Sequence, residues 1–438
     1  MAISAVAAAS PPPPGSQALC LEKMKLLSDA ERGRVYCCTQ RDMETKLEVS
    51  MSSLTDDLIV EILSRLPVKS FCRFQCVCKS WLAFSSDPHY RQKLSRTPFG
   101  FLYQTYDDAS FHLARLPSSD REIYTILGFV RPECPLDLVD CSNGLLLCYP
   151  PDDKPYITVI SDAFVCNPAT QEWMALPKTV LGPAVTENDL ILCFDPLWSQ
   201  HFYVFNFQRT PTSVDGYSTE VKVFFSEDST WSCCLWETED LFCGDSCFIN
   251  GVLYVRHFWD HELLVLNAPE VCTQWLNDRI IQLPGFPYVP ETFNCFDGCI
   301  CPSSGVLCYA QQELDGYMLR IWSLEDPDRW VVKHRLSMVN VFGRDMLLRA
   351  NEEGLWYFDY DIQAFDLERE LVILVDRIDD RKGSFSISAG KGSQIQNIPS
   401  NSKIYHRRFY VPYYGKIPAF FRRDDDGLFR FGALWGSV

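Results

Sequence analysis

The rhythm of apolar and polar positions changes twice along the chain and divides it into stretches of different character. Residues 1–50 show little amphipathic order: Met1–Ala9 is small and apolar, and Pro11–Pro14 is a proline run. A segment of this kind stays extended and packs little, so 1–50 is predicted to be a disordered tail. From Leu54 the apolar period becomes 3.6 residues. Leu58, Ile59, Ile62, Leu63 and Leu66 fall on one face of a helix. Thr55 stands at the N-cap, Asp56 and Asp57 put negative charge in the first turn, and Pro67 stops the helix. Ser70 can cap a second short helix carrying Phe71, Phe74 and Val77, and Trp81, Leu82 and Phe84 extend the apolar cluster. Asp87-Pro88 opens a further helix that ends before Pro98. The expected unit, residues 51–96, is a three- or four-helix module whose core is marginal by itself. The apolar stripe it leaves over is best covered by a partner helix.

From Phe99 onward short β-like runs take over, rich in Val, Leu, Phe, Tyr and Trp and broken by Gly, Pro, Asn and Asp. One phrase recurs: Asn143-Gly144-Leu145-Leu146-Leu147, Asn250-Gly251-Val252-Leu253-Tyr254, Ser304-Gly305-Val306-Leu307 and Glu353-Gly354-Leu355-Trp356. Each glycine suits a tight turn leading into a strand. With a divergent copy near Asp195-Pro196, the period is about 50 residues, the scale of kelch-like propeller blades. A second phrase ends strands in an Asn/Asp/Pro turn, as in Phe164–Trp173, Leu264–Glu270 and Ala364–Glu368. Such units cannot bury their faces alone and must stack. The predicted architecture is therefore α then β: a small helical module, then an all-β, propeller-like domain of about six or seven blades over residues 97–421. Residues 422–438 form a tail. Lys382–Ser402, rich in Gly, Ser and Gln, reads as a long flexible loop, and Tyr405–Phe421 as the source of a closing strand.

Composition narrows the function. The sequence is 47% hydrophobic and 13% aromatic, ample for a core. Its net charge of −17 disfavours nucleic acid and anionic membranes as general partners. No apolar run reaches bilayer length, and residues 1–9 lack a basic flank for a signal peptide. The 20 cysteines are irregularly spaced, many inside apolar runs, which fits reduced, buried thiols and a cytoplasmic or nuclear location.

Candidate chemistry is thin. Cys243 and Cys247 with His257 and His261 imitate a zinc finger, but Phe248–Arg256 reads as strand, Asn-Gly turn, strand, and the link is short for a finger. Gly390-Lys391-Gly392-Ser393 lacks the first glycine of a phosphate loop. Gly244-Asp245-Ser246 has no matching histidine pattern, and Asp424–Asp426 lacks the alternation that calcium needs. No catalytic residue, metal or cofactor is expected, and a propeller enzyme would need a metal or nucleophile site that the sequence does not display. The tryptophans Trp173, Trp198, Trp231, Trp236, Trp259, Trp330 and Trp356 read mostly as blade core, with a few lining a recognition face.

Residues 54–81 closely resemble the F-box motif: Leu66-Pro67, Phe74, Val77-Cys78-Lys79 and Trp81 stand at its signature positions, and Thr55 replaces the common Pro. The β-rich remainder resembles the F-box-associated, kelch-like region of plant F-box proteins, above all in Val139–Leu146 and Val165–Thr170. The resemblance implies a non-enzymatic substrate receptor of a Skp1–cullin–F-box ubiquitin ligase. It carries Leu54, Leu58, Ile59, Ile62, Leu63, Leu66, Pro67, Val77 and Trp81 over as Skp1-docking or module-core positions. A Skp1-like adaptor, cullin through it, and a protein target are the partners so implied. An F-box scaffold that binds Skp1 without promoting ubiquitination is the alternative within the family.

Overall fold

The structure is a computed structural model. It describes Leu58 and, in the β domain, residues 100–105, 111–115, 137–149, 159–160, 163–177, 179–180, 187–211, 217–236, 242–257, 261–268, 278–285, 298–303, 305–378, 381–387, 391–394, 402–403, 409–413, 415 and 417. The segments read as tails, 1–50 and 422–438, lie outside the described residues.

The described strands form six four-stranded antiparallel sheets, each a propeller blade. Blade I begins with β1 (Gly100–Thr105) and β2 (Phe111–Arg115). Blade II holds β3 (Asp137–Ser142), β4 (Leu145–Tyr149), β6 (Phe164–Asn167) and β7 (Glu172–Ala175), with β5 (Val159–Ile160) pairing β8 (Thr179–Val180) beside it. Blade III is β9 (Glu187–Cys193), β10 (Tyr203–Pro211), β11 (Tyr217–Phe225) and β12 (Thr230–Trp236). Blade IV is β13 (Phe242–Ile249), β14 (Val252–His257), β15 (Glu262–Asn267) and β16 (Asp278–Gln282). Blade V is β17 (Cys299–Ser303), β18 (Val306–Gln312), β19 (Met318–Asp326) and β20 (Arg329–Ser337). A short helix, α1 (Met338–Phe342), and a two-stranded ribbon, β21 (Leu348–Ala350) with β22 (Trp356–Phe358), precede blade VI. Blade VI is β23 (Tyr360–Asp366), β24 (Leu371–Asp376), β25 (Arg381–Ser386) and β26 (Lys391–Gln394). The chain then returns to blade I, where β27 (Ser402–Lys403) and β28 (Phe409–Tyr410) both pair with β1. The ring thus closes between the start and the end of the domain, with β27 and β28 on the inner side of β1, as the closing-strand reading expects.

The first strands of successive blades, β3, β9, β13, β17 and β23, pack side by side. Both blade faces are buried, so alternate side chains serve opposite neighbours. In β10, Tyr203, Phe205 and Phe207 pack toward blade IV, while Val204 packs toward blade II. Fully burying each such ring contributes about 1.5–3 kcal/mol. Polar residues brace the inner ring. Leu192 N–H donates to Asp140 Oδ2 at 2.8 Å, and Asn143 Nδ2 donates to the Phe194 carbonyl at 2.7 Å. Asn250 N–H donates to Asp195 Oδ2, and Leu367 N–H to Ser303 Oγ. The polar letters of the Val139–Gly144 phrase are therefore blade-to-blade ties.

Closure uses the second phrase as well. Asn167 is fully buried and donates from Nδ2 to the Tyr413 carbonyl at 2.8 Å. Tyr413 meets Phe194 edge-on, and Ile417 is buried in the core between blades II and III. This segment runs so close to the turn of blade II that a Cβ on Gly144, at φ +92°, would lie 2.4 Å from the Val411 carbonyl oxygen.

Three expectations need correction. Lys382–Ser402 is not one long loop: it contains β25, β26 and the start of β27. Outer strands are held by their backbone ladder and need no apolar alternation, so a Gly/Ser-rich sequence disguised them. Glu353-Gly354 is not a blade turn but the tip of the β21–β22 ribbon. Ala364–Glu368 ends the first strand of its blade, whereas Phe164–Trp173 joins the third strand to the fourth.

Candidate functional site

Each blade runs up, down, up, down, so its connections segregate to two faces. The turns joining first to second strands, such as Asn143-Gly144, lie on one face, here the turn face. Connections between blades, and between second and third strands, lie on the other, the linker face.

The linker face of blades V and VI carries four of the nine large apolar side chains that stand exposed among the described residues. Tyr317 is in the β18–β19 turn, Met346 and Trp356 belong to the α1–β21–β22 insertion, and Ile378 follows β24. Their exposures are 43%, 67%, 43% and 38%. Backbone bonds stitch these elements together. Met338 N–H donates to the Tyr317 carbonyl, Asp359 N–H to the Leu347 carbonyl, and Arg377 N–H to the Asp359 carbonyl, at 2.8–2.9 Å. Tyr360 donates its hydroxyl to the Gly316 carbonyl at 2.9 Å, and its burial pushes the phenol well above its ordinary pKa. Ser337 caps α1 and Gly343, at φ 68°, ends it.

Four arginines on this face are matched to carboxylates: Arg344 to Asp376, Arg349 to Asp359, Arg377 to Asp361 and Arg320 to Glu313. Asp359 is 1% exposed, and neither of its oxygens accepts a hydrogen bond from a described residue; its ion partner Arg349 is 44% exposed. Asp315, Asp345, Glu352 and Glu353 have no ion partner among the described residues and outnumber the exposed Arg335 that faces Arg320 across the ladder, so the described part of the face carries surplus negative charge.

No group of three or more His, Cys, Asp or Glu side chains could hold a metal ion among the described residues. Phe248–Arg256 is strand, Asn-Gly turn and strand, as the sequence suggests. The register of β13 with β14 shifts between Phe242 and Ser246, which pair with His257 and Val255. No helix among the described residues is long and apolar enough to cross a membrane.

Of the nine residues assigned to Skp1 docking, Leu58 is described: it is helical and 51% exposed. Leu54, Ile59, Ile62, Leu63, Leu66, Pro67, Val77 and Trp81 lie outside the described residues. Among the tryptophans, Trp231 and Trp330 pack on blade cores, whereas Trp198 and Trp356 reach the surface on opposite faces. Sequence reasoning missed Tyr317, Met346 and Ile378. Each is an isolated apolar letter in a polar loop, and only the extra length between blades V and VI hints at them.

The closed ring of six antiparallel blades defines a β-propeller. Two family models match: the F-box domain over residues 51–93, and the F-box protein At3g26010-like β-propeller over residues 114–349. The chain belongs to this family of plant F-box proteins with a β-propeller domain. F-box protein At3g26010 of Arabidopsis thaliana is 25% identical over 66% of this chain and 70% of its own length. Putative F-box protein At3g10240 of the same plant is 24% identical over 65% of this chain and 72% of its own length. F-box protein At5g49610, also from Arabidopsis thaliana, is 35% identical over 28% of this chain and 33% of its own length.

Proposed function

We propose that the chain is the substrate-recognition subunit of a Skp1–cullin–F-box ubiquitin ligase, binding Skp1 through residues 51–96 and a protein target through the propeller. One observation carries this reading: an F-box match spans the same residues as an amphipathic helix with more apolar surface than so small a module can bury, followed by a separate propeller. The mechanism is proximity. The helices hold the ligase, the propeller holds the target, and the local concentration of target lysines near the ubiquitin carrier rises. The chain supplies binding and no bond chemistry of its own. On this reading it works in the cytoplasm or nucleus, where Skp1 and cullin are met.

Leu63→Asp with Leu66→Asp tests the docking half, because a buried unpaired carboxylate is costly. Co-expressed Skp1 is expected to co-purify with the wild-type chain and with a chain lacking residues 1–48, but not with the double variant. Retention of Skp1 by the double variant would refute docking through this stripe. Cullin in the purified complex supports the ligase reading; Skp1 without cullin makes the protein a scaffold.

A further inference from the structure

The propeller's target surface can be placed more narrowly. Nine large apolar side chains are conspicuously exposed among the described residues, and four of them, Tyr317, Met346, Trp356 and Ile378, share the linker face of blades V and VI. Two belong to an insertion, α1–β21–β22, that stands outside the six blades. The insertion is anchored rather than loose. Its Leu347 is 1% exposed and sits in the core between blades V and VI, and its ribbon turn is held by Asn351, whose Oδ1 accepts from Glu353 N–H and Leu355 N–H. A rigid platform presenting a Trp and a Met to water is the anatomy of an interface core.

Charge says what should cover it. Four arginines here are already matched, whereas Asp315, Asp345, Glu352 and Glu353 have no ion partner among the described residues and exceed the one exposed cation beside them, Arg335. Beneath them Asp359 adds a buried carboxylate paired with the half-exposed Arg349. Two copies of this chain meeting through the same patch would bring like charges together, which opposes self-association. Nucleic acid is opposed for the same reason.

We propose that this patch is the docking surface for a short, extended segment of a partner protein carrying Lys or Arg flanked by apolar residues. The apolar neighbours cover Met346 and Trp356, and the cation meets the unmatched carboxylates. The inference rests on the receptor reading only in calling that partner a ligase target; the surface itself is independent of Skp1.

A phage-displayed library of random 12-residue peptides, selected on the full-length chain, tests it. Enriched peptides are expected to combine Lys or Arg with aromatic or aliphatic neighbours. Synthetic copies of the enriched peptides, followed by fluorescence anisotropy, should bind at least tenfold more weakly to Met346→Asp and to Glu352→Lys with Glu353→Lys. Val306→Asp, an exposed site on the turn face, should bind as wild type. Raising the salt concentration should weaken binding further. Met346 is 67% exposed, and unchanged thermal unfolding of its variant verifies that the fold is intact. No enrichment, enrichment of acidic or uncharged peptides, indifference to the patch substitutions, or equal loss with Val306→Asp overturns the proposal. So does a wild-type dimer that Met346→Asp converts to monomer, because the occupant is then a second copy. Loss of Skp1 co-purification, read separately, bears on the receptor reading and leaves this one standing.

Discussion

Gly144→Ala probes how the ring is fastened. Gly144 has φ +92°, a region that costs an L-residue about 1–2 kcal/mol. The added methyl also meets backbone, 2.4 Å from the Val411 carbonyl oxygen and 2.7 Å from the Tyr413 nitrogen, so rotating a side chain cannot relieve it. Residues 411–413 must move. Their movement weakens the Asn167–Tyr413 hydrogen bond, worth about 1 kcal/mol, and the Tyr413–Phe194 ring contact, worth a similar amount. It also loosens Ile417, whose burial contributes about 2 kcal/mol. With partial relaxation the expected loss is about 3–5 kcal/mol. Gly354→Ala is the control. It has φ +82° but nothing within 4 Å of a Cβ, so it carries strain alone, about 1–2 kcal/mol. For a domain of this size about 1 kcal/mol corresponds to roughly 1.5 °C in Tm. Differential scanning fluorimetry should show a drop of about 4–8 °C for Gly144→Ala and about 1–3 °C for the control. Hydrogen–deuterium exchange should accelerate across residues 402–417 in the first variant only. Equal Tm losses with unchanged exchange would refute the idea that this glycine exists to admit the closing segment.

Other outcomes follow from the same structure. Ending the chain before residue 402 removes β27, β28 and Ile417, leaves the inner side of β1 unpaired, and should replace one sharp unfolding transition by a broad one with aggregation, measured by calorimetry and light scattering. Ending it at residue 300 should leave no cooperative β domain at all; a soluble fragment with a single sharp transition would contradict ring closure. Burial pushes the Cys308 thiol up to about 12 from its ordinary value near 9. The folded chain then holds this proton where the unfolded chain releases it, so the contribution to stability is complete below about pH 9 and declines as pH rises toward 12. Cys308→Val should flatten that part of the decline in urea unfolding midpoints, and an unchanged slope would count against a buried neutral thiol. Cys233, exposed and donating to Glu220, should react with a thiol reagent in the native chain long before Cys308, as loss of one fast equivalent in Cys233→Ser would show.

The inner ring was the most legible part of the fold. Asn143-Gly144, Asn250-Gly251 and Ser304-Gly305 each mark the turn after a first strand, because a two-residue hairpin with positive φ leaves few alternatives to Gly. The copy near Asp195 is also real, although there Asp195 Oδ1 caps Leu197 N–H and no glycine is needed. What misled was local chemistry without context. The ribbon tip at Gly354 needs the same positive φ as a blade turn, and nothing in its letters says it lies outside the ring. The outer strands β25 and β26 pair through backbone that every sequence possesses. The stripe proposed for docking shows a helical period in the sequence, while the surface patch shows no period at all. The segments that carry Met346 and Ile378 are tied together by the bonds from Leu347 to Asp359 to Arg377, which no periodicity encodes.

The latch on β1 also sets an order of events during synthesis. The F-box segment, residues 51–93, leaves the ribosome first, whereas β1 waits for the last stretch of the propeller before its inner edge is sealed. A nascent chain with five finished blades is still an open arc with exposed strand backbone. Release of the stretch from position 402 to position 417 closes that arc, so premature termination before it leaves the F-box segment joined to an open propeller.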